Sequence, residues 1–280
     1  RMGVFLCGAR ETCPGLFAIP EDFFRPHHRG DTVIANRTER IASGPGRNPH
    51  PPGVTVSQVL QLNGLEYRYP GQSYPFLQVP SFSLQAGERV LLHGPSGCGK
   101  STLLSLITGI RPVQQGEIRV AGQAFSSLPQ RHRDAFRAAH MGIIFQAFNL
   151  LPYLSAVDNV CLNARFSRRR CEREGARNQT QRREAAQALL ARLGLAPGTI
   201  EQPAWQLSFG QQQRVAAARA LFGKPELIIA DEPTSALDSA SRDALLALLC
   251  ELCDQSGSAL LMVSHDSQVA GYFQRSVAFG

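Results

Sequence analysis

Apolar and polar residues fall into a regular order only from Val54 onward. VLQLNGLEYRY has the every-second-residue period of a half-buried strand, and SFSLQAGERVLLHG reads as two more short strands around a turn at Ala86 and Gly87. GPSGCGKSTLLSLITGI is a glycine-rich loop opening into a helix, followed by the strand-like GEIRVAG and the apolar strand MGIIFQ. Between Ala147 and Gln206 the period becomes helical, with SAVDNVCLNARF and QRREAAQALLARLGL as candidate helices. Helix QQQRVAAARALFG, strand ELIIADEP, helix SRDALLALLCEL and strand ALLMVSH then alternate to the end. Continuous apolar strands alternating with helices predict an α/β fold with a parallel sheet covered on both faces. Residues 1–53 show no sustained period and hold seven of the 18 prolines, so this segment is expected to be without order, or not native to the protein, and is given no role.

Composition narrows the class. With 280 residues, a net charge of +7 and 43% apolar residues, the chain has material for one or two packed domains. The longest unbroken apolar run, Ala244 to Cys250, is far short of the roughly 20 residues that a bilayer core asks of a helix. Met2 to Cys7 is too short for a signal-peptide core, which predicts a cytoplasmic protein. Cys250 and Cys253 form a C-x-x-C with no second pair, so no zinc site or disulfide is expected. The abrupt end at Ser276 to Gly280, after an apparent final strand, reads as a truncated C-terminus. Only two of the 29 basic residues are lysines, and one of them, Lys100, stands in the glycine-rich loop.

That loop carries the first candidate chemistry. Gly94-Pro95-Ser96-Gly97-Cys98-Gly99-Lys100-Ser101 fits G-x-x-x-x-G-K-[ST] between a strand and a helix that begins with Thr102 and Leu103. Glycines let backbone N–H groups face phosphate oxygens, and the helix N-terminus favours negative charge there. Lys100 adds a point charge for the β- and γ-phosphates, and the Ser101 hydroxyl is a ligand for Mg²⁺. In LIIADEP the apolar strand ends in Asp231 and Glu232, at the edge where α/β sheets place ligands. One carboxylate can hold Mg²⁺ while its neighbour polarises an attacking water as general base. Ser208 is placed to cap the helix that follows it, a second anion-binding terminus.

In this order, GPSGCGKST, FQ, LSFGQQQR, LIIADEPTSALD and SHD resemble the nucleotide-binding subunit of an ABC transporter, from about Val54 to the C-terminus. The resemblance implies a P-loop NTPase with a RecA-like core, an antiparallel β subdomain and an inserted helical subdomain near residues 147–206. It implies ATP and Mg²⁺ as ligands, with Gly94 to Thr102 around the phosphates, Tyr69 stacked on adenine, Gln146 sensing metal and water, and His265 at the γ-phosphate. Ser208, Gly210 and Gln211 would reach the nucleotide of the opposite subunit, and Asp238 would couple the two sites of a homodimer. Phe209 departs from the usual glycine of that motif. The implied partner is an integral membrane permease, holding the chain at the cytoplasmic face of the inner membrane, with no nucleic acid.

Two features bear on such a partner. Eight arginines between Arg165 and Arg183, against Glu172 and Glu174, would suit anionic headgroups, acidic permease loops or a solvated helix face. AFNLLPYLSAVDNV would line a groove for a permease helix or pack as core. The sequence looks most like the subgroup that powers lipoprotein release and macrolide-type export. A non-transporting membrane complex that regulates cell-wall enzymes is the alternative.

Overall fold

A computed structural model describes Thr32–Val33 and residues 58–279 other than Ala236. The expectation about residues 1–53 thus lies almost wholly outside the described residues. Within that segment Thr32–Val33 (β1) does pair, parallel to a later strand. The elements below belong to the compact unit Asp31–Gly280.

The described residues form two five-stranded sheets. In the first, β2 (Gln58–Tyr67) lies between β3 (Leu77–Gln85) and β5 (Gln115–Val120), antiparallel to both, with β1 beside β3 and β6 (Gln123–Ala124) beside β5. Alternation in β2 puts Leu60, Leu62, Leu65 and Tyr67 into the core and leaves Asn63 in solvent. The second sheet is entirely parallel, in the order β10 (Arg275–Ala278), β4 (Arg89–His93), β9 (Ala259–Ser264), β8 (Leu227–Asp231), β7 (Met141–Ile144). All six residues of β9 and the first four of β8 are buried, as strands covered on both faces require.

Register fixes where the functional loops emerge. His93 pairs with Ser264, Val263 with Asp231, and Ala230 with Ile144, so the strands end along one edge. The residues that follow, Gly94, His265, Glu232 and Phe145, leave the sheet side by side at its carboxyl end. Helix α1 (Lys100–Ile107) follows β4, and α2 (Gln130–His140) precedes β7. Four helices, α3 (Ala156–Arg165), α4 (Arg168–Arg173), α5 (Gln179–Arg192) and α6 (Pro197–Ile200), lie between β7 and α7 (Phe209–Leu221), and α8 (Ser239–Ser256) joins β8 to β9. One core joins α3, α5, α7 and α8 to one face of the parallel sheet, and a second fills the space between the two sheets and α1. Among the described residues no helix is long and apolar enough to cross a membrane.

Candidate functional site

The glycine-rich loop is shaped by its backbone. Gly97 and Gly99 have φ of +83° and +101°, values that only glycine adopts without strain, and Gly99 is the residue from which α1 starts. Gly94 lies against the Phe279 carbonyl so closely that a Cβ there would collide with it. Phe279 is buried, and its N–H donates to the His93 oxygen at 2.8 Å, which fixes the loop's entry. Pro95, Ser96 and Gly97 form an exposed rim, whereas Lys100 is 6% exposed. Its Nζ donates to the carbonyls of Gly94 and Pro95, both at 2.8 Å, and reaches Cys98 Sγ at 3.8 Å. The ammonium is therefore held inside the loop.

Asp231 and Glu232 face that loop from the end of β8. Burial pushes the Asp231 carboxyl above its ordinary value and the Glu232 charge adds to this, while a hydrogen bond with Ser101 and the charge of Lys100 pull the other way. Such a carboxylate, short of positive charge and beside a hydroxyl, matches the hard oxygen ligands that Mg²⁺ takes. Glu232 has φ +45°, a left-handed conformation that costs a residue with a Cβ of the order of 1 kcal/mol. Its N–H is anchored to the Val263 oxygen at 3.0 Å, and its Oε2 lies 3.1 Å from His265 Nδ1. Strain held this way at a carboxylate is characteristic of a site where direction matters more than stability.

Tyr69 lies at the same place from the other sheet. Its hydroxyl is 2.8 Å from Thr102 Oγ1, and its ring meets Tyr67 and Phe76 edge-on. The Arg111 guanidinium is 5.2 Å from the ring centre. Tyr74 is exposed and makes none of these contacts, which separates two of the tyrosines that the sequence left close together. Lys100, Ser101, Asp231, Glu232, His265 and Tyr69 thus converge on one end of the sheet.

The remaining candidates lie elsewhere. Gln146 is exposed in a turn two residues beyond β7 and does not end the strand. Ser208 caps α7: its Oγ accepts from the Gln211 N–H at 3.3 Å, and Gln211 Oε1 accepts from the Ser208 N–H at 2.8 Å. Gly210 has open space where a Cβ would stand. Asp238 caps α8 by accepting from the Ser241 N–H at 2.9 Å. Among the described residues no hydrogen bond or ion pair joins Ser208, Gly210, Gln211 or Asp238 to the Lys100 loop.

The arginine-rich stretch divides: Arg165, Arg168, Arg169 and Arg177 are exposed, Arg173, Arg182 and Arg183 are half-buried, and Arg170 alone of the eight is buried. Arg170 is completely buried and binds four backbone carbonyls, while Arg169 and Arg173 pair with Glu226 and Arg183 with Asp158 and Glu201. The acids that neutralise these side chains lie up to 57 residues away, which local charge counting misses. Sequence reasoning also missed Phe148 and Arg219. Phe148 has φ +59° and packs edge-on against Phe209, while Arg219, buried in α7, donates to the oxygens of Phe148 and Asn149 at 2.5 and 2.6 Å. No local signal would have singled out either residue. In the segment after Gln146, Phe148, Ala156, Val157 and Val160 are core, as one of its two expectations has it, while Asn149 lines a cleft of about 510 Å³ with Asp134, Arg137, Phe145, Asn163 and Phe166.

Comparison with known proteins agrees with this geometry. Residues 77–235 match the family described as ABC transporter. The chain is 41% identical over 224 residues to the macrolide export ATP-binding/permease protein MacB of Photorhabdus laumondii, covering 79% of this chain and 33% of that protein. It therefore spans about a third of the length of these curated relatives. The lipoprotein-releasing system ATP-binding protein LolD 2 of Rhodospirillum rubrum is 42% identical over 190 residues, 68% of this chain and 79% of that one. A dimeric ATP-binding cassette in a post-hydrolysis state, bound to ADP and Pi, superposes with a TM-score of 0.70 at 34% identity, covering 78% of this chain and 93% of the other. With the P-loop, the two carboxylates and the serine-capped helix in their places, the chain belongs to the family of ABC transporter ATP-binding domains.

Proposed function

We propose that this chain hydrolyses ATP with Mg²⁺ as a head-to-tail homodimer and drives a membrane permease, in export or in extraction of lipoproteins or lipids. The observation that carries the reading is the meeting of Lys100, Ser101, Asp231, Glu232 and His265 at the ends of three neighbouring parallel strands.

Each side chain has a task that its surroundings allow. Lys100, already inside the loop, exchanges carbonyl partners for phosphate oxygens. Ser101 and Asp231 would hold Mg²⁺, with Gln146 as the further candidate ligand from the turn after β7. The ion supplies Lewis-acid polarisation of the phosphate oxygens when bound. Glu232 orients and deprotonates the attacking water, and His265 positions that carboxylate and contacts the γ-phosphate. Tyr69 supplies an aromatic face for adenine beside the first turn of α1. The capped N-terminus of α7, with open space at Gly210 and no contact to its own loop, suits the γ-phosphate held by a second copy. Asp238, exposed at the start of α8, faces the same partner. The relative caught as a dimer with ADP and Pi supports this arrangement. A helix of the permease would enter the 510 Å³ cleft lined by Phe145 and Asn149, on either side of Gln146 in sequence, and the chain would then sit at the cytoplasmic face of the membrane through that partner.

The Glu232→Gln variant tests the reading. It should bind ATP, form a nucleotide-dependent dimer and release no phosphate. Wild-type turnover by that variant refutes the general-base assignment, and a monomer at saturating MgATP, in the presence of the membrane partner, refutes the shared site.

A further inference from the structure

The turn that carries Gln146 is fastened to α7 from both ends of that helix. At the N-terminal end the Phe209 ring, 49% exposed, meets the Phe148 ring at 4.7 Å between centres and 61° between planes. At the C-terminal end the buried Arg219 guanidinium donates to Phe148 and Asn149 oxygens at 2.5 and 2.6 Å. Between these attachments the turn is wound tightly. Phe148 and Asn149 have φ of +59° and +49°, and their N–H groups bond to Phe145 and Ala147 oxygens at 3.0 and 2.6 Å. A backbone in that conformation persists only when its surroundings hold it. Phe209 also adjoins Ser208, the cap that offers the helix end to phosphate.

We propose that Phe209 is a positioning residue: through its edge contact with Phe148 it ties the turn bearing Gln146 to the Ser208 end of α7, so that the two move as one body. This rests on the ATPase reading above. A glycine at position 209 would remove the ring contact and leave the turn to Arg219 and the core packing of Phe148, so that Gln146 would sample positions off the site more often while Ser208 kept its place. Arg219 also lines the cleft next to the turn, so whatever fills the cleft bears on the same fastened unit.

The experiment compares the full chain with Phe209→Ala, Phe148→Ala, the double variant and Phe209→Tyr. Phosphate release and amide hydrogen exchange are measured on each. An edge-on aromatic pair is expected to account for roughly 2- to 12-fold in kcat, with KM for ATP moved by less than about twofold. Both alanine variants should show this loss, the double variant should be no worse than the poorer single, and tyrosine should restore the rate. Exchange at Phe148 and Asn149 should quicken in Phe209→Ala while the melting temperature stays close to that of the wild type. Unchanged kcat and exchange in Phe209→Ala overturn the proposal, as do losses that multiply in the double variant. Quickened exchange in a chain whose wild type releases no phosphate overturns the ATPase reading and supports the fastening alone.

Discussion

Arg170 is the residue whose removal should cost most outside the site. It is completely buried at the N-terminal part of α4. Nε donates to the Ala138 oxygen at 2.6 Å, Nη1 to Phe222 and Ala220 at 2.6 and 3.3 Å, and Nη2 to Met141. These carbonyls belong to the last turn of α2, the start of β7 and the end of α7, so one cation closes two helix C-termini where orphan carbonyls and negative potential collect. Hydrogen bonds from a charged donor contribute about 1.5 kcal/mol each at the low end, ~6 kcal/mol for the set. Against this stands the cost of burying the charge, which lowers the guanidinium pKa from 12.5 to about 10 and corresponds to about 3 kcal/mol. Arg170→Ala should therefore lose about 3 kcal/mol from bonding alone, with the cavity left by the side chain adding to it. Urea unfolding of the full chain, followed by circular dichroism, measures the difference. Arg170→Lys, with one ammonium in place of a planar fork, should fall between. If Arg170→Ala unfolds within 1 kcal/mol of the wild type, water satisfies those carbonyls at little cost and the clamp described here does not exist.

Two further outcomes follow from the charges. Because burial holds the Asp231 carboxyl above its ordinary value, its ionised form is disfavoured by the fold at neutral pH; Asp231→Asn should melt higher than the wild type in the absence of nucleotide, yet lose the stabilisation that MgATP gives, as thermal shift assays with and without the ligand will show. Glu226 has the opposite sign: burial raises its pKa, but hydrogen bonds from His140 and Arg169 outweigh this and bring it from 4.5 down to about 2. Its stabilising contribution is complete above about pH 4.5 and fades as the pH falls toward 2, so acid unfolding of the wild type should be steeper across that window than that of Glu226→Gln, and parallel curves would contradict the assignment.

Much of this molecule was written in its sequence because the signals are local. The P-loop needs glycines at set spacing, and an apolar strand needs an apolar run, so β4, β8 and β9 and the loop after each could be placed without coordinates. The capping of α7 by Ser208 was legible for the same reason, since a cap is satisfied within its own turn. Helix α2 was missed: none of its residues is buried, and its apolar face consists of three alanines and the single ring of Phe136, too slight a signal beside its arginine, histidine and aspartate side chains to announce it.

What the tertiary structure alone decided are contacts between segments far apart in the chain. The eight arginines between Arg165 and Arg183 looked like one surface feature, and packing turned one of them into a buried clamp and others into partners of Glu226, Asp158 and Glu201. Phe209 looked like a departure within a motif, and only the fold gave it Phe148 as a neighbour. Backbone conformation and capping depend on energies within a few residues and can be read along the chain. Burial and charge pairing depend on which distant surfaces meet, and that is settled by the global minimum of packing, where no single residue carries the instruction.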